Sequence, residues 1–110
     1  MNVETIREYC IGKEGAEESF PFGEDTLVFK IGGKIFLLLS LDADPPSFNA
    51  KCDPDHALEL REQYECIVPG YHMNKKHWNT VVVDGTLPAR ELKALIDESY
   101  DLVKPKAKKK

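Results

Sequence analysis

The chain has 110 residues, fifteen basic and nineteen acidic, and a formal net charge of −4. That length allows one domain, which can bury about two-thirds of the surface of its unfolded chain. At 42% hydrophobic and 31% charged residues, the composition excludes a disordered chain, a multidomain enzyme, a membrane protein and a disulfide scaffold.

Val3, Ile6 and Cys10 recur at helical spacing between Glu4, Arg7 and Glu8, which predicts a short amphipathic helix over residues 3–11. Asn2 is its N-cap and Gly12 its stop. Residues 12–25, with three glycines and a proline, read as loop with a short edge strand near Glu17–Phe20. Thr26–Ile31 and Lys34–Leu41 read as strands joined at Gly32-Gly33, whose positive φ angles suit a two-residue hairpin turn. Leu27, Phe29 and Ile31 share one face of the first strand, opposite Lys30. The second strand is apolar on both sides. Alternation puts Ile35, Leu37, Leu39 and Leu41 on one face and Phe36 and Leu38 on the other, so it should be central.

Asp42–Pro46 reads as loop and Ser47–Lys51 as a strand. Asp53-Pro54 starts a helix that runs to about Tyr64, with Ala57, Leu60, Arg61 and Tyr64 along one stripe. Ile67-Val68 is a brief strand, residues 69–77 a polar loop, and Trp78–Asp84 a strand. Asp84-Gly85 turns the chain. Pro88 then opens a last helix to about Leu102, with the stripe Leu92, Leu95, Ile96, Ser99, Tyr100 and Val103. The expected fold is α+β: a two-layer sandwich, an antiparallel sheet with helices on one face. Residues 1–103 form the single domain, and 104–110 a mobile Lys-rich tail.

Charge is unevenly spread. Residues 1–103 hold ten basic and nineteen acidic side chains, or −9, while the last seven residues carry +5. An acidic body repels a duplex as a whole, so any nucleic-acid site must be a local basic patch or the tail. Cys10, Cys52 and Cys66 form no C-x-x-C pair, and residues 1–15 contain no apolar leader segment. The longest apolar run, Ile35–Leu39, is far short of the ~20 residues needed to span a bilayer. The expected compartment is the cytoplasm.

The densest polar constellation is Pro69-Gly70-Tyr71-His72-Met73-Asn74-Lys75-Lys76-His77-Trp78, which holds no acid. Lysines supply point charge, Tyr and His supply directional hydrogen bonds, and Trp or Tyr can stack on a base. The plainer reading is a solvated loop with Tyr71 and Trp78 as core anchors. Cys52-x3-His56, Cys66-x5-His72 and His72-x4-His77 offer five soft ligands, but structural zinc sites pair tight C-x₂₋₄-C with H-x₃₋₅-H. No metal and no cofactor is therefore expected. Cys10 and Cys66 sit among apolar residues and read as packed thiols. No nucleophile motif or phosphate-binding glycine loop is present.

Several stretches together resemble one family. They are residues 21–30 (PFGEDTLVFK), Gly32-Gly33-Lys34, Lys51-Cys52-Asp53-Pro54, residues 69–80 (PGYHMNKKHWNT) and Ser99-Tyr100-Asp101-Leu102-Val103. They resemble the MmcQ/YjbR family of small bacterial proteins over about residues 1–103. The resemblance implies a fold similar to the type III secretion chaperone and CyaY-like sandwiches, in a "double wing" arrangement. It also implies DNA binding. Its motif positions fall on Lys51, Pro69, Gly70, Tyr71, His72, Lys75, His77 and Trp78. The expected function is thus a non-catalytic DNA-binding protein gripping phosphate with Lys51, Tyr71, His72, Lys75, Lys76, His77 and Trp78. One alternative is a protein-interaction or chaperone-like module, a homodimer or partner complex, using the sheet face that carries Phe36 and Leu38. Another is a small phosphate or anion pocket at Tyr71, His72 and His77.

Overall fold

The computed structural model describes residues 1–70 and 73–105. The described elements run α1 (Val3–Ile11), β1 (Glu17–Ser19), β2 (Thr26–Ile31), β3 (Lys34–Ser40), β4 (Ser47–Lys51), α2 (Pro54–Gln63), β5 (Ile67–Pro69), β6 (Trp78–Val82) and α3 (Ala89–Val103). The sheet is antiparallel in the order β1-β2-β3-β4-β6-β5. β6 therefore lies between β4 and β5, and the segment after Pro69 is a hairpin connection at the end of the sheet. All three helices pack on one face, as the α+β two-layer reading expects.

Local chemistry explains the helix ends. Asn2 caps α1 in a reciprocal capping box with Thr5. The Asp53 carboxylate accepts from the Asp55 and His56 amides, with Pro54 opening α2. Arg7 of α1 grips Glu18 of β1 through two hydrogen bonds of 2.8 and 2.5 Å. Tyr9 Oη and Lys13 Nζ both donate to Asp97 of α3, at 2.7 and 2.5 Å.

The main core joins Ile6 and Cys10 of α1, Ala57 and Leu60 of α2, and Leu92, Ile96 and Val103 of α3 to the covered sheet face. That face repeats in cross-strand rows, including Leu27–Leu39–Phe48–Val81–Ile67. Strict alternation fails in β3. Phe29 pairs with Leu37 but Lys30 pairs with Ile35, so Phe36 is a bulged residue with no cross-strand partner. Phe36 turns into the helix layer, against Phe29 and Tyr100, and Ile35 moves to the other face beside Val28 and Leu38. The expected pairing of Phe36 with Leu38 on an uncovered face is thereby corrected. Ser99, fully buried on α3, repairs the bulge. Its hydroxyl donates to the Phe36 carbonyl and accepts from the Lys51 amide at 2.8 Å.

Lys104 and Pro105 belong to the fold. Lys104 caps α3 and pairs with Asp101 at 3.3 Å. Pro105 lies over the hairpin turn, where a Cβ on Gly32 would come within 2.8 Å of its Cγ. The rest of the tail, residues 106–110, lies outside the described residues.

Candidate functional site

The β5–β6 connection is held by four ties. From its ends, the Gly70 amide donates to the Trp78 carbonyl at 2.9 Å. A Cβ at Gly70 would sit 3.0 Å from Trp78 Cβ and O, a tight contact that glycine avoids where the two strands meet. From within, the His77 and Trp78 amides donate to the Asn74 carbonyl, and Asn74 Oδ1 accepts from the Lys76 amide at 2.9 Å. From α2, Arg61 reaches across: its Nε donates to Asn79 Oδ1 at 2.6 Å, and Nη2 donates to the Lys75 and Trp78 carbonyls.

β4 supplies the fourth tie. Lys51 pairs with Trp78, and the Cys52 amide donates to the His77 carbonyl at 2.7 Å. The backbones of Lys51, Lys75, Lys76 and His77 thus converge at one end of the sheet. Lys75 and Lys76 are exposed, and Lys51 and His77 are half-buried. Tyr71 and His72 lie outside the described residues. Trp78 is only 8% exposed, packed with Val28, Leu38, Ile35 and Met73 on the helix-free face. Trp78 thus sits as the core anchor of the plainer reading.

The helix-free face carries a polar and apolar mosaic. Across the sheet runs the row Val28–Leu38–Asn49–Thr80–Val68, in which Thr80 Oγ1 donates to Asn49 Oδ1 at 2.5 Å. A recess of about 410 Å³ opens here, lined by Phe22, Thr26, Leu38, Ser40, Asn49 and Met73. Phe22, at its edge, is 65% exposed.

Residues that sequence reasoning passed over turn out to position the loop. Arg61 reads in the sequence as part of the α2 packing stripe; in the fold its guanidinium is the clamp. Asn79, buried at 2% exposure, receives that clamp and donates to the Ala57 carbonyl at 3.4 Å. A lone arginine among apolar stripe positions is the signal that points to Arg61.

The soft ligands also sort themselves. Cys52 and His56 come together with Glu98 of α3, the one group of three such donors found among the described residues. Glu98 lies 42 residues from His56 in sequence, beyond the reach of spacing rules. Burial, and then the Glu98 carboxylate, push the Cys52 thiol up to about 12. Burial likewise pushes Cys10 up to about 12 and raises Cys66, in keeping with packed thiols.

The comparison with known proteins follows the same geometry. The YjbR family model matches residues 11–102. The chain belongs to the YjbR family. It is 42% identical to the uncharacterized protein YbdF of Escherichia coli O157:H7 over 100 residues, covering 91% of this chain and 82% of that one. It is 33% identical to the uncharacterized protein YjbR of Escherichia coli K12, covering 91% and 85%. Among solved structures, the Deinococcus radiodurans protein DR2400 superposes with a TM-score of 0.88 at 42% identity, covering 93% of this chain and 78% of that one. A Pseudomonas syringae protein superposes at 0.82 and 30% identity, covering 94% and 100%. This YjbR-family chain therefore shares both sequence and sheet architecture with its relatives. Among its described residues no helix is long and apolar enough to cross a membrane.

Proposed function

We propose that this YjbR-family protein is a non-catalytic DNA-binding module that meets phosphate at the end of the sheet where Lys51 adjoins the β5–β6 connection. The observation that carries the reading is the Lys51–Trp78 register, locked by the Cys52-to-His77 backbone bond. It sets the cationic residue at the end of β4 beside those of the β5–β6 connection, on a body of net charge −9. Lys51, Lys75 and Lys76 then neutralise phosphates, and His77 adds a donor. Three such contacts imply weak affinity, with a logarithmic salt slope near −3, or about fortyfold weaker binding on going from roughly 50 to 200 mM salt. Titration of a labelled duplex by fluorescence anisotropy tests this. Lys51→Glu/Lys76→Glu should abolish most of the binding and flatten the slope; equal binding by wild type and double variant rejects the site.

A second reading has its own observation. The recess lined by exposed Phe22 and half-buried Met73 on the helix-free face is a mixed apolar surface of the kind that takes a protein partner or a second copy. Sedimentation of wild type and Phe22→Ser separates it from the first. A strict monomer in both, with DNA affinity unchanged by Phe22→Ser, leaves the recess without a partner.

A further inference from the structure

At the junction of β4, α2 and α3, three donors of different hardness meet. Cys52 Sγ lies 3.4 Å from His56 Nδ1 and 3.4 Å from Glu98 Oε2, and His56 Nδ1 lies 2.9 Å from Glu98 Oε1. We infer that Cys52, His56 and Glu98 form a binding site for a thiophilic divalent cation of the zinc class, with three protein ligands and one open position. This inference is independent of the DNA-binding reading and goes beyond it.

The dimensions fit. Tetrahedral zinc, with bonds of about 2.3 Å to sulfur and about 2.0 Å to nitrogen and oxygen, needs sulfur–nitrogen and sulfur–oxygen edges of about 3.5 Å and a nitrogen–oxygen edge of about 3.3 Å. Glu98 meets the sulfur through Oε2 and the nitrogen through Oε1, and one ligand atom from each of the three residues lies within 4.8 Å of the others, so turning the carboxylate to present one oxygen to both partners closes the set. The charges fit too. A thiolate, a carboxylate and a neutral imidazole cancel two positive charges; on binding, the thiol proton leaves to solvent as the sulfur–metal bond forms. A sulfur–nitrogen–oxygen set selects zinc-class ions over magnesium or calcium, which take oxygen ligands.

The surroundings hold the donors in place. The Asp53 amide donates to Glu98 Oε2 at 3.3 Å, and the Asp53 carboxylate caps the turn that carries His56. The His56 side chain is 43% exposed, which leaves a solvent path and the open coordination position. On the inner side, a void of about 10 Å³ lined in part by Cys52, Asn79 and Glu98 gives the sulfur room to shift. The alternative is a purely hydrogen-bonded cluster, with Glu98 bridging thiol and imidazole.

Cobalt(II) titration of the reduced full chain distinguishes the two. The site predicts one equivalent of cobalt, a sulfur-to-cobalt charge-transfer band and a tetrahedral visible band. Zinc should displace cobalt and raise the Tm. Cys52→Ser should lose the charge-transfer band and Cys66→Ser keep it, while Glu98→Gln should bind zinc at least tenfold more weakly. His56→Gln, at a half-exposed position, provides the same loss of affinity if Cys52→Ser does not fold. Absence of the charge-transfer band in the wild type, or its persistence in Cys52→Ser, overturns the inference.

Discussion

Replacing Arg61 by alanine removes the side-chain clamp that α2 places on the β5–β6 connection. Three donated hydrogen bonds go at once, but they do not weigh equally. The contact to the Trp78 carbonyl is long, at 3.4 Å, and the Lys75 carbonyl belongs to an exposed residue where water can substitute. The bond to Asn79 Oδ1, at 2.6 Å to a residue 2% exposed, carries most of the loss. A hydrogen bond from a charged donor contributes roughly 1.5–3 kcal/mol, and an orphaned buried acceptor costs about 1–3 kcal/mol. The expected destabilisation is about 3 kcal/mol, or roughly 12 °C in Tm for a chain of this length. Arg61→Lys should recover little of it, because an ammonium cannot reproduce the planar fork. Thermal denaturation gives the magnitude, and amide exchange its place: His77 and Trp78, whose amides bond to Asn74 within the connection, should lose protection first. A cycle with Asn79→Ala should return a coupling energy above about 1 kcal/mol. A Tm drop under about 3 °C with unchanged protection of those amides would refute the clamp.

Three further outcomes are expected. Ser99→Ala strands the Phe36 carbonyl and the Lys51 amide in the core and should cost roughly 2–4 kcal/mol, seen as a lower urea midpoint at unchanged slope. Gly70→Ala drives a Cβ against the Trp78 backbone and should cost about 1–3 kcal/mol, with Trp78 emission shifting red as its burial loosens. Burial pushes the Asp97 carboxyl up, but hydrogen bonds from Lys13 and Tyr9 outweigh it and hold the group below its ordinary value of 3.8. A carboxyl lowered in the fold stabilises above its unfolded value and loses that contribution as pH falls through the folded one. The stability gap between wild type and Asp97→Asn should therefore be open near pH 7 and narrow below about pH 4 in urea titrations.

The elements whose signals are local were readable from residues alone. Asn2, Asp53-Pro54 and Gly32-Gly33 mark their helix starts and hairpin turn, and the Leu92-to-Val103 stripe marks α3. What escaped depends on contacts made across the chain. Alternation in β3 breaks because a bulge is stabilised by Ser99, a residue on a helix far downstream. The insertion of β6 between β4 and β5 depends on pairing partners, which no periodicity records. The meeting of Lys51 with the connection follows from that pairing, so the Lys residues could be nominated from sequence but not assembled. Glu98 was invisible as a ligand for the same reason. For Trp78 the residues alone leave two readings, a stacking ring or a core anchor, and its burial against Val28 and Leu38 matches the anchor.

The signature stretch can now be divided by what each residue is bound to. Gly70 permits the close approach of the strands, Asn74 ties the connection to itself, Trp78 anchors it on the helix-free face, and Asn79 and Thr80 are engaged with Arg61 and Asn49. These positions are accounted for by the architecture of one hairpin connection and need no ligand to explain them. Lys76 and His77 differ, because their backbone bonds do not require a basic side chain. An amide at residue 76 satisfies Asn74 whatever that side chain is, and the residue 77 carbonyl serves Cys52 equally well. Basic character at these two described positions is thus not demanded by those backbone bonds. The proposed DNA-binding reading would give it a use, on a body whose net negative charge would otherwise turn an anionic partner away.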